Sequence, residues 1–72
     1  MNEKFQIKKH IAILSESKSG WQTELNYISW FGKEPKFDIR SWSPDHERAG
    51  KGISLSEDEI RELKVALANI DI

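Results

Sequence analysis

Hydrophobic and polar positions alternate along most of this 72-residue chain, and the period changes once, near its end. Residues 5–14 put Phe5, Ile7, Ile11 and Ile13 on odd positions, with Lys9 breaking the apolar alternation. That pattern predicts a strand, bent or bulged near Lys9 and His10. Ser15–Gly20 is a polar turn. Residues 21–31 are rich in aromatic and β-branched types and predict a second strand. Gly32–Pro35 predicts a hairpin turn into a third strand over 36–43. A polar loop, Pro44–Gly50, leads to a short fourth strand over 51–55. The period then becomes helical: Ile60, Leu63, Leu67 and Ile70 fall on one stripe, widened by Val65 and Ala66. Ser56 and Glu59 have capping-box spacing, and Glu57, Asp58 and Glu59 complement the positive end of the helix dipole. Four strands followed by one helix make an α+β pattern, an antiparallel sheet with its helix at the C-terminal end.

The third strand has two unlike faces. Phe37, Ile39 and Ser41 point one way, towards a prospective core; Lys36, Asp38, Arg40 and Trp42 point the other. A large ring beside cations suits a surface that stacks unpaired bases and neutralises phosphates. A buried ring is the commoner state of tryptophan, but alternation with Arg40 and against Ile39 favours the open face for Trp42. Its replacement by alanine is then expected to weaken binding and leave the fold intact. Arg40 has a plainer reading as the ion-pair partner of Asp38 or of a cross-strand Glu24, and Lys51 as a charge that blocks edge pairing. On the second strand, alternation sets Trp21 with Tyr27 and Trp30 with Ile28; at least one of these pairs belongs to the core, and the pattern does not say which.

Composition narrows the class. An apolar fraction of 38% with 32% charged residues is that of a soluble globular domain, here one domain over residues 1–72. So small a core supplies about 3–5 kcal/mol at most, and without cysteine no disulfide adds to it. Oligomerisation is the remaining remedy, and the helix stripe of Ile60, Leu63, Leu67 and Ile70 is the expected dimer interface. No apolar run approaches a membrane span and the N-terminal residues hold no signal core, so a cytoplasmic protein is expected. The net charge of −1 is uneven: residues 1–55 carry +2 and residues 56–72 carry −3. Asp45, His46 and Glu47 are adjacent, which does not let them converge on one ion. No serine has a base and orienter at informative spacing, and Gly50-Lys51-Gly52 lacks the rest of a P-loop. Neither an enzyme, nor a cofactor, nor a small-molecule substrate is expected.

Asp38-Ile39-Arg40 followed by Trp42, then Lys51-Gly52-Ile53-Ser54-Leu55 running into a capped amphipathic helix, resembles the positive cofactor four family of transcriptional coactivators. Phe5-Gln6-Ile7 matches it too. Trp42 to Glu47 (Trp-Ser-Pro-Asp-His-Glu) and Gly50 to Ile53 (Gly-Lys-Gly-Ile) resemble its bacterial YdbC-like branch. The resemblance implies a curved four-stranded antiparallel sheet with a C-terminal helix, assembled as a homodimer that binds single-stranded DNA with little sequence preference. It assigns Arg40, Trp42 and Lys51 to DNA contact, adds Lys9, and makes Trp30 or Phe31 a stacking ring. Lys18, Trp21 and Lys36 complete the candidates. Two features depart from the eukaryotic members: Arg40 and Trp42 are only two residues apart, and the segment between Ile7 and the hairpin turn is longer by about one hairpin. An RNA-binding module and a protein-interaction subunit of transcription machinery are the alternatives.

Overall fold

A computed structural model describes residues 4–72 of the chain. Residues 1–3, which open the expected domain, lie outside the described residues. The order is β1 (Phe5–Glu16), β2 (Gln22–Trp30), β3 (Lys36–Trp42), β4 (Ala49–Leu55) and α1 (Glu57–Ala68). The strands form one antiparallel sheet in the order β1-β2-β3-β4. The predicted ββββα pattern is therefore the fold. The expected irregularity in β1 is threefold, with register shifts between Ile7 and Lys9, His10 and Ala12, and Ile13 and Ser15. Each shift adds an unpaired residue and increases local twist.

Twist accumulates into a strong curl. Trp30 pairs with Phe5 at one end of β2, and Trp42 pairs with Gln22 at the other. On a flat strand eight residues span roughly 26 Å. Here the Trp30 and Trp42 ring centroids lie 6.3 Å apart, and Phe5 meets Trp42 edge-on at 4.9 Å. The sheet thus closes over the face carrying Ile28, Glu24, Asn26, Asp38, Arg40 and Trp42, its inner face. Trp21, Leu25, Tyr27, Phe37 and Ile39 occupy the opposite, helix-bearing face.

This assignment reverses one expectation. The third-strand face carrying Phe37 and Ile39 was the prospective core, yet those two side chains are only half-buried, and no residue of α1 is buried. The fully covered side chains are Trp42, Ile28, Glu24, Asn26 and Asp38, all on the inner face. It also decides between the second-strand pairs: Ile28 with Trp30 belongs to the covered face, while Trp21 and Tyr27 stand half-buried on the other.

The helix forms for the predicted local reasons. Ser56 Oγ accepts from the Glu59 N–H, and Glu59 Oε1 accepts from the Ser56 N–H at 2.9 Å. Asn69 closes the other end. In β4, Gly52 faces Arg40 so closely that a Cβ there would lie 1.9 Å from Arg40 Cβ and 2.3 Å from the Ile39 carbonyl oxygen. Backbone has to move to admit it. Gly52→Ala is expected to lower stability by about 3 kcal/mol, read as a lower urea midpoint in circular dichroism.

Candidate nucleic-acid interface

The inner face is a polar network roofed by aromatic rings. Asp38 is the anchor of one half: Arg40 donates to it from Nε at 2.8 Å and from a terminal nitrogen at 2.9 Å, and Ser54 Oγ donates at 2.8 Å. The guanidinium also donates to the Gly50 carbonyl at 3.2 Å and lies 4.8 Å over the Trp30 ring. Arg40 therefore has the Asp38 partner that the plainer reading gave it. Glu24, opposite Arg40 in register, turns elsewhere. It accepts from Asn26 Nδ2 at 3.1 Å and meets His46 Nε2 at 2.8 Å, with His10 Nδ1 3.5 Å away. Asn26 Oδ1 in turn accepts from His10 Nδ1 at 2.7 Å.

Trp42 lies on the predicted face beside Arg40, but none of its surface is open to solvent. The expected exposed ring is a covered one. Phe5 and Trp30 reach it through the curl of the sheet, and His46, on the loop after β3, stacks at 5.8 Å. That loop is internally knitted. Ser43 Oγ donates to Asp45 Oδ1, which also accepts from the Glu47 N–H, while the Arg48 N–H donates to Ser43 Oγ. The Glu47 N–H and then the Ser43 hydroxyl hold the Asp45 carboxyl below its ordinary value. The indole N–H groups of Trp30 and Trp42 are buried without an acceptor.

The other candidates are spread around the molecule. Phe31 is 65% exposed at the tip between β2 and β3, with Lys33 on the same connection and Lys36 opening β3. Its backbone φ is 52° and that of Gly32 is 75°. The Lys33 N–H closes this turn on the Trp30 carbonyl, so its centre falls at Phe31–Gly32, at the front edge of the predicted Gly32–Pro35. The Phe31 N–H donates to the Lys4 carbonyl, which fixes the start of β1 beside the ring. Lys9 is exposed but pairs with Tyr27, on the helix-bearing side. Trp21 is on that side too, against Gly50, where an added Cβ would stand 3.2 Å from its ring. Lys18 is exposed in the β1–β2 turn, and Lys51 is exposed in the irregular stretch of β4. The structure thus brings together Trp30, Arg40 and Trp42, sets Phe31 next to Trp30 in the turn, places Lys36 at the groove beside α1, and leaves Lys9, Lys18, Trp21 and Lys51 apart from the Trp30–Arg40–Trp42 cluster. The network joining His10, Glu24, Asn26 and His46 escaped the sequence reading because charged and amide residues on alternate positions look like a solvated strand face, and His46 stands in a polar loop. Among the described residues no group of acidic and histidine side chains is arranged to hold a metal ion, and no helix is long and apolar enough to cross a membrane.

The sequence profile of the family described as Transcriptional Coactivator p15 (PC4) matches residues 17–66, which include the whole of β2, β3 and β4 and most of α1. The chain belongs to this family. A protein of Treponema pallidum (strain Nichols), described as uncharacterized, is 40% identical over 68 residues, covering 94% of this chain and 80% of that protein. The p15 (PC4) family is a non-enzymatic one, known for single-stranded DNA binding and coactivator roles. Its matched segment includes Phe31, Lys36, Arg40 and Trp42 on the elements described above.

Proposed function

We propose that the whole chain acts as one single-strand-binding domain in the cytoplasm, holding single-stranded DNA with little sequence preference in transcription, replication or repair. Phe31 carries this reading. A bulky residue at positive φ is strained by about 1–2 kcal/mol, and this one also holds its ring in solvent. The positive φ is what a two-residue turn centred on Phe31–Gly32 demands, whereas the exposed ring adds nothing to the fold. An exposed ring suits base stacking, with Lys33 and Lys36 close in sequence to neutralise phosphates. Trp30, half-buried under the Arg40 guanidinium, extends the same surface inward.

Titration of single-stranded DNA, duplex DNA and single-stranded RNA over a salt series tests it. The single strand should bind tightest, with a logarithmic salt slope of about −2 if three phosphates are neutralised. Equal binding of RNA would select the RNA module, and negligible binding at low salt would select the protein-interaction subunit. Phe31→Asn is expected to separate binding from folding. Asparagine tolerates the left-handed turn, so thermal stability holds or rises, while affinity falls by about tenfold to a hundredfold with loss of the stacking ring. Unchanged affinity would remove Phe31 from the site.

The functional unit in this reading is a homodimer. A groove of about 630 Å³ lies between α1 and the sheet, lined by Leu25, Tyr27, Phe37, Ile60, Leu63 and Leu67. Leu67 and Ile70 are half exposed, as are Val65 and Ile53. A second copy placing its helix stripe there would remove this apolar surface from water. Light scattering at micromolar concentration should give twice the chain mass; a monomer would exclude the arrangement.

A further inference from the structure

We infer that His46 occupies, in the free protein, the place that a nucleobase takes on Trp42, and that nucleic acid binds there by displacing it. This rests on the single-strand reading proposed above.

Three observations carry it. First, Trp42 has no open surface, so any base that stacks on it has to replace one of the rings that cover it. Phe5 and Trp30 belong to strands held by ladder hydrogen bonds. His46 stands on a loop, with its ring 24° from parallel to the indole, and its side chain is 42% exposed. It is the cover that turns away by side-chain rotation alone. The Ser43–Asp45 hydrogen bonds knit the loop backbone without involving the imidazole. The single side-chain hydrogen bond given up is the one to Glu24. Second, the Trp42 indole N–H is buried with no acceptor. Buried donors are nearly always paired, so the covered state leaves this one incomplete, and a base or phosphate oxygen would complete it. Third, His46 has a backbone φ of 59°, a conformation uncommon for side chains other than glycine. Strain of this kind gathers at sites that switch. An aromatic imidazole stacked on an indole is also a fair mimic of a base stacked on one.

The acidic environment fits a cover that is held and yet released. Glu24 ties His46 from β2, and Asn26 Nδ2 donates to the same carboxylate, so Glu24 keeps a partner when His46 leaves. Asp38 is already saturated by Arg40 and Ser54 and does not compete for the imidazole.

The test uses the full chain and a single-stranded dT oligonucleotide. In proton NMR of the wild type, the His46 ring signals should carry the ring-current shift of Trp42 and lose it at saturation, while the Trp42 indole N–H signal moves. His46→Gly, which removes the ring and suits the positive φ, should bind the oligonucleotide about threefold to tenfold more tightly, because the closed population no longer taxes binding. If the oligonucleotide saturates the protein and His46 stays on Trp42, the inference falls and the single-strand reading stands. A folded His46→Gly variant that binds no better also overturns it. Absence of any binding by the wild type removes the single-strand reading and this inference together.

Discussion

Trp42→Ala is expected to leave the chain largely unfolded at room temperature. Trp42 is the largest of the fully covered side chains and touches Phe5 from β1, Trp30 from the far end of β2 and His46 from the following loop. Truncation of a buried tryptophan costs about 3–5 kcal/mol. A core of this size supplies about the same total. Far-UV circular dichroism and a urea titration read the outcome, which should be loss of the cooperative transition. Trp21→Ala is the control. Trp21 is half-buried on the helix-bearing face, so that variant should keep the transition at a modestly lower midpoint. A Trp42→Ala protein with a wild-type midpoint would show that the inner-face ring cluster contributes little. The full burial of Trp42 is the reason to expect this in place of the loss of binding alone that the sequence suggested.

The element order was legible because each signal is local. The aromatic and β-branched run over 21–31, the alternation over 36–43, the capping box at Ser56 and Glu59, and the stripe from Ile60 all act within a few residues, and the strands Gln22–Trp30 and Lys36–Trp42 and the helix follow them. The family motifs were legible for the same reason: Asp38 to Trp42 and Lys51 to Leu55 lie within the matched segment. What could not be read was which face of the sheet is covered. Period two assigns Trp42, Arg40 and Asp38 to one side, correctly, but the cover comes from elsewhere in the chain. Phe5 is 37 positions away, and it arrives only because three register shifts in β1 curl the sheet. Glu24 and Asn26 looked solvated for a related reason. Their partners, His10 and His46, lie 14 and 22 positions away from Glu24 on other segments. The exposed state of Phe31 was open to neither argument, since it depends on a positive φ that sequence patterning assigns to glycine.

These placements give the two faces different tasks. The inner face holds together a curled sheet through a buried network and three rings, and the turn beyond Trp30 carries the exposed Phe31. The helix-bearing face is under-covered within one chain, since α1 buries none of its residues. A domain whose stability comes mainly from the inner face is sensitive there to substitutions that a surface site would tolerate. Stability and binding therefore have to be measured side by side for every inner-face variant.

Asp38 and Arg40 give the sharpest use of that rule, because their removal should move the two quantities in different ways. Asp38 is fully covered, whereas the Arg40 side chain keeps 18% of its surface. A fully buried pair broken from one side loses about 3–5 kcal/mol, most of it from the charge left behind; this pair reaches water through Arg40, so the loss is about 1–3 kcal/mol and a folded population remains. Arg40→Ala strands Asp38 with Ser54 as its remaining donor, and it should fall at the upper end. Asp38→Ala frees a guanidinium that still has the Gly50 carbonyl and the Trp30 ring and can turn towards water, so it should fall at the lower end. For nucleic acid the order inverts. Arg40→Ala removes a cation from the proposed surface and should weaken single-strand binding by the folded fraction. Asp38→Ala removes an anion that occupies the same guanidinium and should strengthen it. The double variant should cost less stability than the two single variants added together, since neither charge is then stranded. Urea midpoints and dT titrations of the three proteins at one salt concentration measure both quantities. If Arg40→Ala lost affinity with an unchanged midpoint, the Asp38 pair would carry no structural weight and Arg40 would be a binding residue alone.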